Sequence, residues 1–156
     1  MWKQHGRDLL IGIICVLLQV AIFRHLRIFG TSADIVLIYL LWIMTVRDRT
    51  TAIWTAATLG LLQDALLDLW GLNMFAKVAI AFFGYNLMPK QSESSLLTGQ
   101  IFLTVLLFSI AHNLLFLLAA SFIESYAIES LFWFMLVIGS LYTAITASIV
   151  HLFRTP

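Results

Sequence analysis

Six apolar runs, separated by short polar or glycine-containing breaks, account for most of the chain: Leu9 to Phe23, Ala33 to Val46, Thr51 to Trp70, Leu72 to Met88, Leu97 to Ile123 and Leu131 to Phe153. Each run is longer than the roughly 9–11 residues of a barrel strand. A backbone inside lipid must satisfy its own hydrogen bonds, so these runs read as helices. The pattern predicts an all-α membrane protein, with residues 1–156 forming one transmembrane domain built as a six-transmembrane-helix bundle. The first two runs fall short of the roughly 20 residues a hydrocarbon core demands. Either their polar flanks snorkel or the bilayer thins around them.

The breaks between runs are Arg24 to Ser32, Arg47 to Thr50, a turn at Gly71, Pro89 to Ser95 and Glu124 to Ser130. Such connections join antiparallel neighbours and hold no separate domain. Composition agrees: 62% of residues are hydrophobic and 11% charged, too few polar groups to surround a buried core with water. A net charge of +1 with scattered basic residues gives no nucleic-acid footprint. Cys15 is the single cysteine, which excludes an intrachain disulfide and a thiolate metal site. Arg24, His25 and Arg27 follow Phe23 where a signal peptide would carry a small-residue cleavage site, so the first helix is read as retained.

Basic residues resist translocation, and their positions orient the bundle. With the N-terminus inside, Lys3, Arg7, Arg47, Arg49, Lys90 and Arg154 share the cytoplasmic side, against Arg24, Arg27 and, if it snorkels, Lys77 opposite. The expectation is N-in/C-in.

Polar residues inside the runs carry the remaining information. On the third helix Gly60, Gln63, Asp64, Asp68 and Gly71 form one stripe, with Thr51, Thr55 and Thr58 on the other side. A carboxylate near a helix centre costs about 2.5–3.5 kcal/mol on insertion scales, so Asp64 needs a partner. A reversal at Gly71 would bring it level with Lys77, and an Asp64–Lys77 ion pair, direct or through water, would close the hairpin. The alternative sends Lys77 outward to snorkel and leaves Asp64 neutral or bonded elsewhere. On the fifth helix Ser109, His112 and Asn113 share an interior stripe, read as interhelical hydrogen-bond glue or, functionally, as a proton carrier or ligand contact. Gly139, Thr143 and Ala147, beside Ser140, Ala144 and Ser148, give the sixth helix a small-residue face suited to helix packing or a partner. The sequence contains no HExxH, GxSxG or P-loop pattern and no carboxylate–histidine set at metal spacing, so neither catalytic residues, metal nor cofactor is expected.

The order Gly60-Leu61-Leu62-Gln63-Asp64-Ala65-Leu66, then Gly71-Leu72-Asn73-Met74-Phe75-Ala76-Lys77, then Gly84-Tyr85, resembles the MreD family of bacterial rod-shape-determining membrane proteins. The likeness covers about a quarter of the chain. It extends more loosely to size, six-span layout and the Asp34-Ile35-Val36-Leu37 start of the second helix. Family members often have proline before that aspartate, where this chain has Ala33. The resemblance implies a non-enzymatic protein of the bacterial cytoplasmic membrane with a fold like the S-components of energy-coupling-factor transporters. It also implies binding to MreC, within the elongation complex of RodA, its penicillin-binding protein and MreB. The function expected is a scaffold supporting lateral peptidoglycan synthesis and rod cell shape, held in membrane lipid and without nucleic acid.

Two other classes compete. One is an S-component-like subunit of a vitamin uptake transporter, binding a small ligand near His112, Asn113 and Asp64. The first helix lacks the Ala-x-x-x-Ala docking surface common in such subunits, which counts against it. The other is an intramembrane hydrolase or proton-coupled carrier built on Asp64, Asp68 and His112, for which no convincing nucleophile or second acid stands on the same face.

Overall fold

The computed structural model describes residues 2–23, 25–26, 31–89, 98–122 and 132–154. Among them are six α-helices: α1 Trp2–Leu18, α2 Ile35–Val46, α3 Arg49–Leu67, α4 Leu72–Gly84, α5 Thr98–Ala120 and α6 Phe132–Arg154. A π-helical turn, Gln19–Phe23, continues α1, and a 3-10 turn, Tyr85–Leu87, continues α4. Among the described residues three segments are long and apolar enough to cross a membrane: Gln4–Phe23, Thr98–Ala120 and Leu136–Phe153. The chain is therefore a helical membrane protein, and its surface is correspondingly inverted. Leu10 and Leu17 of α1, Leu103 and Leu107 of α5, and Ile145 and Ile149 of α6 all point outward.

The expected first span, 9–23, is corrected at its start. Helix α1 begins seven residues earlier, because polar residues from Lys3 to Asp8 continue the turn and only add a wetter end. Helix α2 stays short. Its 12 residues give about 18 Å of rise, against a hydrocarbon thickness of about 30 Å, so its two ends cannot both reach water. It is apolar all round, as expected of a helix enclosed by protein. Val36, Leu37, Leu40, Leu41, Ile43 and Met44 are buried, and α2 contacts each of the other five helices. The shortest helix is the core.

Helices α3 and α4 form one tight hairpin, and α5 and α6 another. Helix α3 ends at Leu67 instead of running on to Trp70. Asp68 and Trp70 adopt left-handed conformations at φ 56° and 49°, followed by Gly71 at 92°, and this sequence of reversals stops the helix. At the opposite end Asp48 caps α3 by accepting from the Thr51 N–H at 3.0 Å and the Thr51 hydroxyl at 2.7 Å. Those two bonds, the hydroxyl's foremost, hold its carboxyl below the usual range. The expected polar loops at 90–95 and 124–130, and Arg24 and Arg27, lie outside the described residues.

Gly60 marks the closest approach of α3 to α4: a Cβ there would lie 2.5 Å from the Met74 Cα and 2.9 Å from its N. Backbone cannot swing aside as a side chain can. Gly60→Ala is expected to destabilise by about 1–3 kcal/mol. Gly12→Ala, whose Cβ would meet side chains alone, the flexible tip of Leu59 at 2.6 Å and the Tyr39 ring at 3.1 Å, should lose less. Equilibrium unfolding in mixed micelles ranks the two, and equal losses would contradict the backbone contact.

Candidate functional site

A helix that begins inside a membrane leaves its first N–H groups without water, and each needs a protein acceptor. The N-terminus of α2 meets this demand with side chains from three helices. Asp34, the N-cap, accepts from its own Leu37 N–H at 2.9 Å. The Asp34 N–H donates to the Thr143 hydroxyl of α6 at 3.1 Å. The Ile35 N–H donates to Gln19 Oε1 at 2.9 Å, while Gln19 Nε2 donates back to the Ala33 carbonyl at 2.9 Å. Gln19 opens the π-helical turn after α1, a wider turn that frequently accompanies a specialised side chain.

The second oxygen of Asp34 faces Lys77 of α4. Lys77 is fully buried, and its Nζ lies 2.8 Å from Asp34 Oδ2, 3.3 Å from Asn73 Oδ1 and 3.4 Å from His112 Nε2. An ammonium has three N–H groups, and all three have acceptors here. Because Nε2 of His112 accepts, its proton is assigned to Nδ1, which faces Asn113 Oδ1 at 3.4 Å. Asn113 Nδ2 in turn donates to the Ser140 hydroxyl at 2.9 Å. One connected set of polar groups thus joins α1, α2, α4, α5 and α6.

Asp64 does not belong to that set. Both of its oxygens receive backbone N–H groups at the start of α4, from Asn73 at 3.0 Å and Met74 at 2.8 Å. The expected Asp64–Lys77 ion pair is corrected on this ground. The hairpin is closed by Asp64, as a cap for the neighbouring helix, and the lysine turns to the acid of α2. Lys77 does not snorkel either. The sequence contained a signal for the cap and for Asn73, though not for the pairing itself: an aspartate directly before an apolar run is a helix N-cap, and Asn73 stands one helical turn before Lys77. Gln19 and Thr143 gave no comparable sign of their partners.

The remaining stripe residues divide. Gly60, Gln63 and Asp64 are buried, whereas Asp68 is exposed at the end of α3. The Gln63 carbonyl oxygen and the Ser109 hydroxyl are buried without a hydrogen-bond partner among the described residues. Gly84 lets the Phe108 ring of α5 sit against α4, where an added Cβ would come within 2.3 Å of it. The Tyr85 hydroxyl donates to the Arg47 carbonyl at 2.7 Å. On α6 the small residues Gly139, Ser140, Thr143, Ala144 and Ala147 are buried and Ser148 partly so, which turns this face toward its own chain.

The other end of α2 is held similarly. Arg47 Nε donates to Asp8 Oδ2 at 2.7 Å, and the Tyr39 hydroxyl donates to the Asp8 carbonyl at 2.6 Å. Chemically, Asp64 and His112 have separate partners and Asp68 is exposed where the other two are buried, so the three do not converge as an acid–base site. No group of three metal-ligating side chains gathers among the described residues. A recess of about 160 Å³ opens beside the α2 N-terminus, bounded by Ser32, Asp34, Asn113, Phe116, Leu136 and Thr143.

Breaking a buried ion pair by removing one partner typically costs about 3–5 kcal/mol, because the other charge is left unpaired. Lys77→Met is expected to lose that much, and adding Asp34→Asn, which keeps the acceptor for Leu37, to recover at least about 1 kcal/mol. Lys77→Met with Asp64→Asn should instead show additive losses. Unfolding titrations of the four proteins in each cycle check this, and additivity for Asp34 and Lys77 would refute the pair. Compared with family models, curated proteins and solved structures, the chain shows no match to any of them.

Proposed function

We propose that the chain is an integral membrane scaffold of MreD type, non-catalytic, that binds MreC in the bacterial cytoplasmic membrane. There it would support lateral peptidoglycan synthesis and rod shape with RodA, the elongation penicillin-binding protein and MreB. The observation that supports this reading is the use made of the residues that carry the resemblance. Gly60 admits Met74, Asp64 caps α4, Gly84 admits Phe108 and Tyr85 ties α4 to the end of α2. Each spends its chemistry on holding helices in place. A motif of this kind specifies a shape to be recognised and leaves no reactive group of its own.

In this proposal the chain crosses the membrane six times, α2 supplying the middle of its span and the residues on either side of it the rest, in an arrangement akin to the S-components. Both termini are cytoplasmic. Lys77, being interior, leaves the charge comparison, which becomes six basic residues inside against Arg24 and Arg27 outside. With the small-residue face of α6 packed internally, MreC would meet outer helix faces or the hairpin tip, where Asp68 and Trp70 are exposed.

A second reading, an S-component-like subunit that binds a small molecule, has the recess beside Asp34 and Asn113 in its favour. Its volume of about 160 Å³ is about half that of the smaller ligand pockets, which start near 300 Å³. A vitamin-sized molecule would not fit without rearrangement.

Purification of the tagged protein from native membranes in mild detergent tests both. Co-purification of MreC and wall synthases is the expected result. Recovery of an ATPase module with a bound vitamin, or turnover of a substrate by the pure protein, would overturn the scaffold.

A further inference from the structure

The outer face of α4 carries a second recess, of about 330 Å³, lined by Met74, Phe75, Val78, Ala79, Phe82 and Phe83. These positions recur every fourth residue, so the recess runs along the helix for about 14 Å. It is more than twice the volume of the roughly 150 Å³ apolar cavities that accept a benzene ring. Ala79 forms its low point, between Phe75 and the Phe82–Phe83 pair, whose rings meet edge to face at 5.0 Å.

At one end of this groove stands a cation. The Arg49 guanidinium lies over the Phe82 ring, 4.5 Å from its centroid, and Nη2 donates to the Phe82 carbonyl at 2.9 Å. Arg49 forms no ion pair with any described carboxylate. Asp48, its neighbour in sequence, turns its oxygens to Thr51. The Nε–H of Arg49 is buried with no acceptor among the described residues. Arg49 sits at the start of α3 and the end of α4, where a helix leaves the apolar layer.

An apolar channel one helix long, ending at a guanidinium with no acidic partner among the described residues, is complementary to an acyl chain joined to a phosphate. We infer that this face of α4 holds one anionic phospholipid, its chain against Ala79 and its phosphate on Arg49. An anionic headgroup suits the site better than a zwitterionic one, whose ammonium would return a positive charge to the neighbourhood of Arg49. The inference is independent of the scaffold reading, because it requires only that the chain reside in lipid.

Competitive retention measures it directly. The full chain in mild detergent is given equal amounts of phosphatidylglycerol and phosphatidylcholine with matched chains, and the lipids that survive transfer are counted by native mass spectrometry. A basic side chain near an anionic surface is worth about fivefold in binding, so retention of phosphatidylglycerol by about that factor is expected. Arg49→Gln should lose the preference and Arg49→Lys keep most of it, whereas Ala79→Phe, which fills the groove, should lose retention of both lipids. Equal retention by the native chain, or an undiminished preference in Arg49→Gln, would overturn the site. So would full displacement of phosphatidylglycerol by inorganic phosphate, which would mark a bare anion site. Arg49 also ties α3 to α4, so if Arg49→Gln fails to fold, the native-chain competition and Ala79→Phe decide.

Discussion

A helix shorter than the membrane is thick cannot deliver both of its ends to water, and most of this structure follows from how α2 meets that constraint. Its exposed N–H groups are matched by the side chains of Asp34, Gln19 and Thr143. The carboxylate that does part of this work carries a charge, and a charge in a buried site demands its opposite. Lys77 supplies it, and needs two further acceptors, which Asn73 and His112 provide. Each polar residue of this set is thereby accounted for by the one before it. The same logic operates where α4 begins, with Asp64 as acceptor for two N–H groups.

This chain of dependence explains what the sequence revealed and what it withheld. Apolar runs delimit helices well because hydrophobicity is read residue by residue, and all six emerged within a few positions of their ends, apart from the start of α1. Its polar first turns were not distinguishable from a loop, since a helix leaving the bilayer needs no apolar residues. The stop of α3 at Leu67 depends on left-handed backbone at Asp68 and Trp70, residues without glycine's freedom. Gly71 was legible as a turn, whereas the close approaches at Gly60 and Gly84 emerged only with the packing of α3 and α5 against α4. The partner of Lys77 was not legible either. Level on a hairpin, Asp64 was the nearer choice in one dimension, but its oxygens were claimed by backbone, a competitor that leaves no trace in side-chain patterning. Asp34 lies 43 positions from Lys77, and only the packing of α2 against α4 brings them together.

An interior of this kind bears on how a scaffold would work. Polar side chains tie α2 to α1, α4 and α6, Lys77 carries the set on to α5, and Asp64 with the Gly60–Met74 approach joins α3 to α4, all through contacts that lipid cannot replace. The outer surfaces of the helices are consequently presented in fixed relation to one another. In the proposed scaffold a partner helix would read that relation as shape. The rigidity is uneven, however: α1, α5 and α6 expose long aliphatic faces and are secured mainly at particular polar points, such as Gln19, Asn113 and Thr143.

The bond between Asp34 and Thr143 spans 109 positions of sequence. During synthesis, α2 enters the bilayer long before α6 exists, so its capping set stays incomplete until nearly the whole chain has been made. Until α6 is made, the Asp34 N–H has no Thr143 hydroxyl to meet. A chain halted before α6 would lack the acceptor for the Asp34 N–H and the partner of Asn113.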